Sequence, residues 1–137
     1  MSRLTSTLLV DDDETTNFVN QMLLEDLDVS DQLYIARNGQ EALEMIQQQC
    51  EEGICPELVL LDINMPVMNG FEFLEKFEKL SLPEKHSVVI VMLTTSLNPS
   101  DMARLQTLPN SGVINKPLNE VVVKKLLKEH FNKDISI

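Results

Sequence analysis

The chain has 137 residues, with 22 acids against 11 bases and a formal net charge of −11 at pH 7. That length suits one domain able to bury a core without disulfide staples, so residues 1–137 are taken as a single unit with no output domain. The charge argues against nucleic acid or a membrane surface as a partner, since both are polyanions, and no run of about 18 apolar residues exists to span a bilayer.

The opening MSRLTSTLLV lacks the apolar core of a signal peptide, which makes a cytoplasmic protein the expectation. From there, short apolar runs alternate with longer amphipathic ones. Residues 7–10 read as a first strand. Residues 15–27 read as a helix, with Phe18 and Met22, and Val19, Leu23 and Leu27, at i, i+4 spacing. LYIA at 33–36 is a second strand. Asn38 then caps a helix running to about Cys50 that buries Ala42, Leu43 and Ile46. Cys50 and Cys55, the two cysteines, read as free thiols. A zinc site would need further ligands, and His86 and His130 stand far away in sequence and read as surface residues.

LVLL at 58–61 is a third strand ending at Asp62, and Phe73, Leu74, Phe77 and Leu80 mark the next helix. VVIVML at 88–93 reads as a strand covered on both faces. Asn98-Pro99-Ser100 opens another helix, with Pro99 suited to its first turn and Met102, Leu105 and Leu108 expected to face inward. Residues 112–115 form a short fifth strand and 118–131 a closing helix, followed by NKDISI.

Five strand–helix pairs with apolar strands predict a parallel sheet with helices on both faces, wound both ways from its middle. Ligands of such sheets sit at the carboxyl ends of the strands, near the point where strand order reverses. Four of the five predicted strands end in chemistry there: Asp11-Asp12, Asp62, Thr94 and Lys116. Two carboxylates 4 Å apart repel by roughly 4 kcal/mol at an effective dielectric of 20. A hard cation relieves that cost, and a small set of oxygen ligands suits Mg²⁺. A lysine and a hydroxyl beside such a metal are what an anionic phosphoryl group requires. Neither GxxxxGK[ST] nor GxGxxG occurs, so nucleotide binding is not expected.

LLVDDD, LVLLDINMPVMNG, VMLTTS and NKPL, in that order, resemble the response-regulator receiver domain of two-component signalling. The resemblance extends from Thr7 to Phe131 and implies a flavodoxin-like strand order 2-1-3-4-5. It implies that Asp62 is the phospho-acceptor and that Asp11 and Asp12, with Asp62 and the backbone carbonyl of Asn64, hold Mg²⁺. Lys116 would pair with the phosphoryl oxygens, and Thr94 would move to hydrogen-bond them. The Lys116–Pro117 bond would be cis, as this family typically has it. Asp13 would be a helix-start residue, and Met65-Pro66 and Asn69-Gly70 would shape the loop after the acceptor. The implied partners are a histidine kinase or histidine phosphotransfer protein upstream and a target protein downstream. Such a domain assists its own phosphorylation and dephosphorylation rather than acting as an enzyme on a separate substrate. Val113 stands where the family often carries a switching aromatic, Thr95 where alanine is common, and Asn64 and Ser96 where phosphate lifetime is tuned.

A second pattern competes. Asp11-x-Asp13-x-Thr15 matches the D-x-D-x-T of haloacid-dehalogenase-like phosphatases, with Asp11 as nucleophile and Thr94 and Lys116 in later roles. That pattern also needs an acidic pair after the lysine, where only a helix and a short tail follow. It leaves Asp62-Ile63-Asn64-Met65-Pro66 without a role, so it is the weaker reading.

Overall fold

Three strands in the middle of the sheet are buried on both faces, and this fixes where everything else must pack. In the computed structural model, which describes residues 3–82, 85–95, 98–108 and 110–131, the elements are β1 (Leu4–Val10), α1 (Glu14–Asp26), β2 (Ser30–Ala36), α2 (Gly39–Glu51), β3 (Leu58–Asp62), α3 (Gly70–Lys79), β4 (Val89–Thr94), α4 (Pro99–Gln106), β5 (Gly112–Asn115) and α5 (Glu120–Phe131). The strands are parallel in the order β2-β1-β3-β4-β5, the flavodoxin-like order expected. Ser96, the tail from 132 onward and the side chain of His86 lie outside the described residues. Among the described residues, no helix is long and apolar enough to cross a membrane.

Successive residues of a strand point to opposite faces. Leu8, Val10, Val59, Leu61, Ile90 and Met92 therefore enter one core layer with α2 and α3, while Leu9, Leu58, Leu60, Val91 and Leu93 enter the other with α1 and α5. Each fully buried aliphatic side chain contributes about 1.5–3 kcal/mol, so β1, β3 and β4 anchor the domain. Helix starts are set locally by capping side chains. Asp13, Asn38, Asn69, Asn98 and Asn119 each accept a backbone N–H of the first turn, and Asn69 and Glu72 close a reciprocal capping box. The expected start of α5 at 118 shifts to Glu120 because Asn119 is the cap, although Leu118 still reaches the core. Arg104 of α4 lies 4.4 Å from the Phe71 ring centre and 3.6 Å from Glu75, tying α4 to α3.

Two expectations are corrected, and the i, i+4 pattern of α1 divides: Leu27 is buried, whereas Phe18, Val19 and Met22 are exposed because Asn17, Asn20 and Leu24 occupy the sheet-facing side of α1. Met102 also faces solvent, while Leu105 is buried and Leu108 packs against the core. Cys50 and Cys55 are joined in a disulfide rather than free. After α2 the chain reverses at Gly53, whose φ of +82° is in the left-handed region that glycine tolerates. The reversal brings the two Cα atoms to 4.1 Å; sequence spacing alone does not display it.

The loop from Ile63 to Asn69 is gripped at both ends. Gly39 N–H donates to the Met68 carbonyl (3.0 Å) and Gly70 N–H to the Ile63 carbonyl (2.8 Å). A Cβ on Gly70 would lie 2.8 Å from the Asp62 carbonyl oxygen and 2.9 Å from Ile63 Cα, both backbone atoms that cannot swing aside. Gly70→Ala is therefore expected to destabilise the domain by about 1–3 kcal/mol, the range for overpacking. A urea midpoint equal to that of the wild type would show that the contact is not tight.

Candidate functional site

Strand register converts distance in sequence into neighbourhood in space. Val10 is the partner of Leu61, so the next residues, Asp11 and Asp62, stand side by side between β1 and β3, where the sheet begins to wind in opposite directions. Asp62 is the partner of Leu93, and Thr94 follows it. Thr94 is in turn the partner of Asn115, and Lys116 follows that. Lys116 N–H donates to the Thr94 carbonyl at 2.7 Å, and the Lys116–Pro117 peptide is cis, as the resemblance implied.

Asp11 is buried. Its Oδ1 accepts the Asp13 N–H at 2.9 Å and its Oδ2 accepts Lys116 Nζ at 2.8 Å. The same ammonium lies 3.3 Å from Asp62 Oδ1. Asp12 is exposed at the rim of the cleft. One carboxylate oxygen from each of Asp11, Asp12 and Asp62 falls within 4.8 Å of the others. Thr94 is buried at the end of β4, and Asn64 lies in the exposed part of the loop after Asp62. Asp13 takes the helix-start role. It caps α1 through Thr15 N–H, and a hydrogen bond from the Thr16 hydroxyl, foremost, holds its carboxyl below its ordinary pKa.

Burial, and after it the charge of Asp11, raises the Asp62 pKa above its ordinary value against the pull of Lys116. Burial also works against the charge on Lys116. The hydrogen bond to Asp11 and the charges of Asp62 and Asp11 outweigh it, so the lysine pKa is raised. Two of the three carboxylates thus share one ammonium, and the group stays short of positive charge. An all-oxygen donor set with unrelieved repulsion fits a hard divalent cation.

A family model described as "Response regulator receiver domain" matches residues 7–128. The chain belongs to that family. The response regulator Rcp1 of Synechocystis is 34% identical to this receiver over 97 residues, covering 69% of this chain and 65% of that protein. The chemotaxis protein CheY of Halobacterium salinarum is 28% identical over 123 residues, covering 89% of this chain and 92% of that one. A crystal structure of a two-component response regulator from Cytophaga hutchinsonii superposes with a TM-score of 0.85 at 26% identity, covering 96% of this chain and 100% of that one. This chain spans only 44% and 46% of two longer transcriptional regulators that it also matches. The receiver is a phosphoacceptor signalling module, which sets aside the phosphatase pattern around Asp11 and Thr15.

Sequence reasoning named the residues the register gathers, but it missed Asn17. Its side-chain amide donates to the Asp11 carbonyl at 2.8 Å from inside the protein. No short motif marks it; the one available signal was an amide on the face of α1 that packs inward.

The raised pKa of Asp62 gives stability a sign. Protons bind this carboxyl more tightly in the folded than in the unfolded chain. Its contribution is therefore full below the ordinary carboxylate pKa and is lost as pH rises through the raised value. With divalent cations chelated at neutral pH, Asp62→Asn should melt a few degrees higher than wild type. The gap should narrow as pH falls into the range where Asp62 takes up its proton. Thermal melts across that range check this, and a variant no more stable at pH 7 would contradict it.

Proposed function

We propose that this receiver accepts a phosphoryl group on Asp62 from a phosphohistidine donor, in a reaction that requires Mg²⁺, and passes the signal on by protein contact. The observation that carries the reading is the meeting of Asp11, Asp12 and Asp62 within 4.8 Å, with Lys116 bridging two of them. Asp11, Asp12, Asp62 and the Asn64 carbonyl would hold the Mg²⁺, which supplies a Lewis acid for the phosphoryl oxygens.

The remaining chemistry belongs to the side chains. An Asp62 carboxylate oxygen attacks phosphorus, the phosphorus–nitrogen bond to the donor imidazole breaks, and an acyl phosphate forms. Lys116 turns its ammonium from the carboxylates toward the phosphoryl charge. The Thr94 hydroxyl donates to a phosphoryl oxygen, and the backbone after β4 follows. The new charge biases an equilibrium between two arrangements of the β4–α5 face. Val113, exposed on β5, stands at the position of the family's switching aromatic, so the readout here does not pass through a ring at that place.

A histidine kinase or histidine phosphotransfer protein would present that phosphohistidine, and a small acyl phosphate can serve as donor by the same chemistry. Phe18, Val19 and Met22 on the solvent side of α1 form an apolar surface beside the acceptor cleft suited to meeting a protein donor. The surrounding negative charge disfavours nucleic acid at this face.

Incubation with acetyl phosphate and Mg²⁺ followed by mass spectrometry tests the reading. One hydroxylamine-sensitive phosphoryl group should map to Asp62 and should vanish in Asp62→Asn or with chelator. Lys116→Ala should slow labelling by roughly a hundredfold, the scale for losing one preorganised donor. Label that persists in Asp62→Asn would overturn the assignment.

A further inference from the structure

Helix α1 is amphipathic in the wrong sense for packing alone. It buries Asn17 (4% exposed) and Asn20, and leaves Phe18 and Val19 more than half exposed. A buried amide is costly unless its groups are bonded. One of Asn17's is: Nδ2 donates to the Asp11 carbonyl, and the pair is buried. A carbonyl can only accept, so the amide's orientation follows, with Oδ1 turned the other way. Among the described residues that buried Oδ1 has no partner. A leucine of similar size would fill the space without an orphaned acceptor, so packing does not account for the asparagine.

We propose that Asn17 is a positioning residue of the phosphoacceptor site, whose amide sets the Asp11–Asp12 peptide so that the carboxylates stand ready for the divalent cation. The inference rests on the metal-dependent phosphorylation proposed above. Asp11 C=O and Asp12 N–H are two ends of one rigid peptide plane. Anchoring the carbonyl to α1 fixes the direction in which the exposed Asp12 leaves the strand end. Asp11 is then held at three points: its carbonyl by Asn17, Oδ1 by the Asp13 N–H and Oδ2 by Lys116. Two of those tethers hold the carboxylate itself; Asn17 holds the backbone from which both acids spring. Partners that orient metal ligands in this way are worth 10–100-fold in metal affinity.

The test uses the full chain, with Asn17→Leu, Asn17→Ala and the control Asn20→Leu, which alters the same buried face without touching Asp11. Three quantities are read: the melting temperature in chelator, the Mg²⁺ dissociation constant from titrated thermal shifts, and the acetyl phosphate labelling rate at limiting and saturating Mg²⁺. Both Asn17 variants should bind Mg²⁺ about tenfold or more weakly, with labelling largely restored at saturation. Asn20→Leu should stay within twofold of wild type. Unchanged Mg²⁺ affinity in a folded Asn17 variant, or an equal loss in Asn20→Leu, overturns the proposal. Failure of both Asn17 variants to fold does the same, because it assigns the residue to the fold itself. A wild type that neither binds Mg²⁺ nor takes label on Asp62 would sink the underlying reading instead.

Discussion

The pairing of Val10 with Leu61 is the constraint on which the rest depends. It sets two carboxylates next to each other at the mouth of the sheet, one wholly buried and the other nearly so. Nothing in β1 or β3 by itself demands that arrangement. A one-residue slip would send every side chain of one strand to the opposite face, moving Leu9 (if β1 slips) or Leu60 (if β3 slips) out of its layer. Packing of the two cores therefore holds the register, and the register holds the acids together. Stability and chemistry are linked at this point: aliphatic burial on both faces offsets the repulsion that the cleft accumulates.

Lys116 is the counterweight within the cleft. It reaches Asp11 and Asp62 from the far side of β4, carried there by a backbone hydrogen bond to Thr94 and a turn through a cis proline. Under the function proposed above, the same ammonium that neutralises the acids would also receive the phosphoryl anion, so both tasks would fall to one side chain. Burial and the neighbouring acid lift the proton affinity of Asp62, and Lys116 tempers the lift without cancelling it.

The strands and the strand-end residues were legible in the sequence, and the strand order followed from the family resemblance that its motifs carry. Continuous apolar runs identify buried parallel strands, and the strand-end rule points to their carboxyl termini. Asn38 and Pro99 announced their helices by the chemistry of their side chains. What escaped was of another kind. The exposure of Phe18, Val19, Met22 and Met102 depends on how each helix is rolled against the sheet, and i, i+4 spacing defines a stripe without saying which of two stripes is inward. The Cys50–Cys55 bond depends on a left-handed turn at Gly53. Asn17 escaped because its partner is a backbone carbonyl, which has no signature in residue types.

The stacking of Arg104 on Phe71 carries a mechanical implication. Phe71 follows Gly70, whose backbone rests against that of Asp62, so the ring is braced from the Asp62 side while the guanidinium belongs to α4. Moving helix α4 outward would peel a cation off a ring and away from Glu75, and would also draw the buried Leu105 out of the core. The contact between α3 and α4 thus joins a partly solvated, charge-bearing clasp to the apolar seat of Leu105, and the clasp's share is open to tuning by ionic strength.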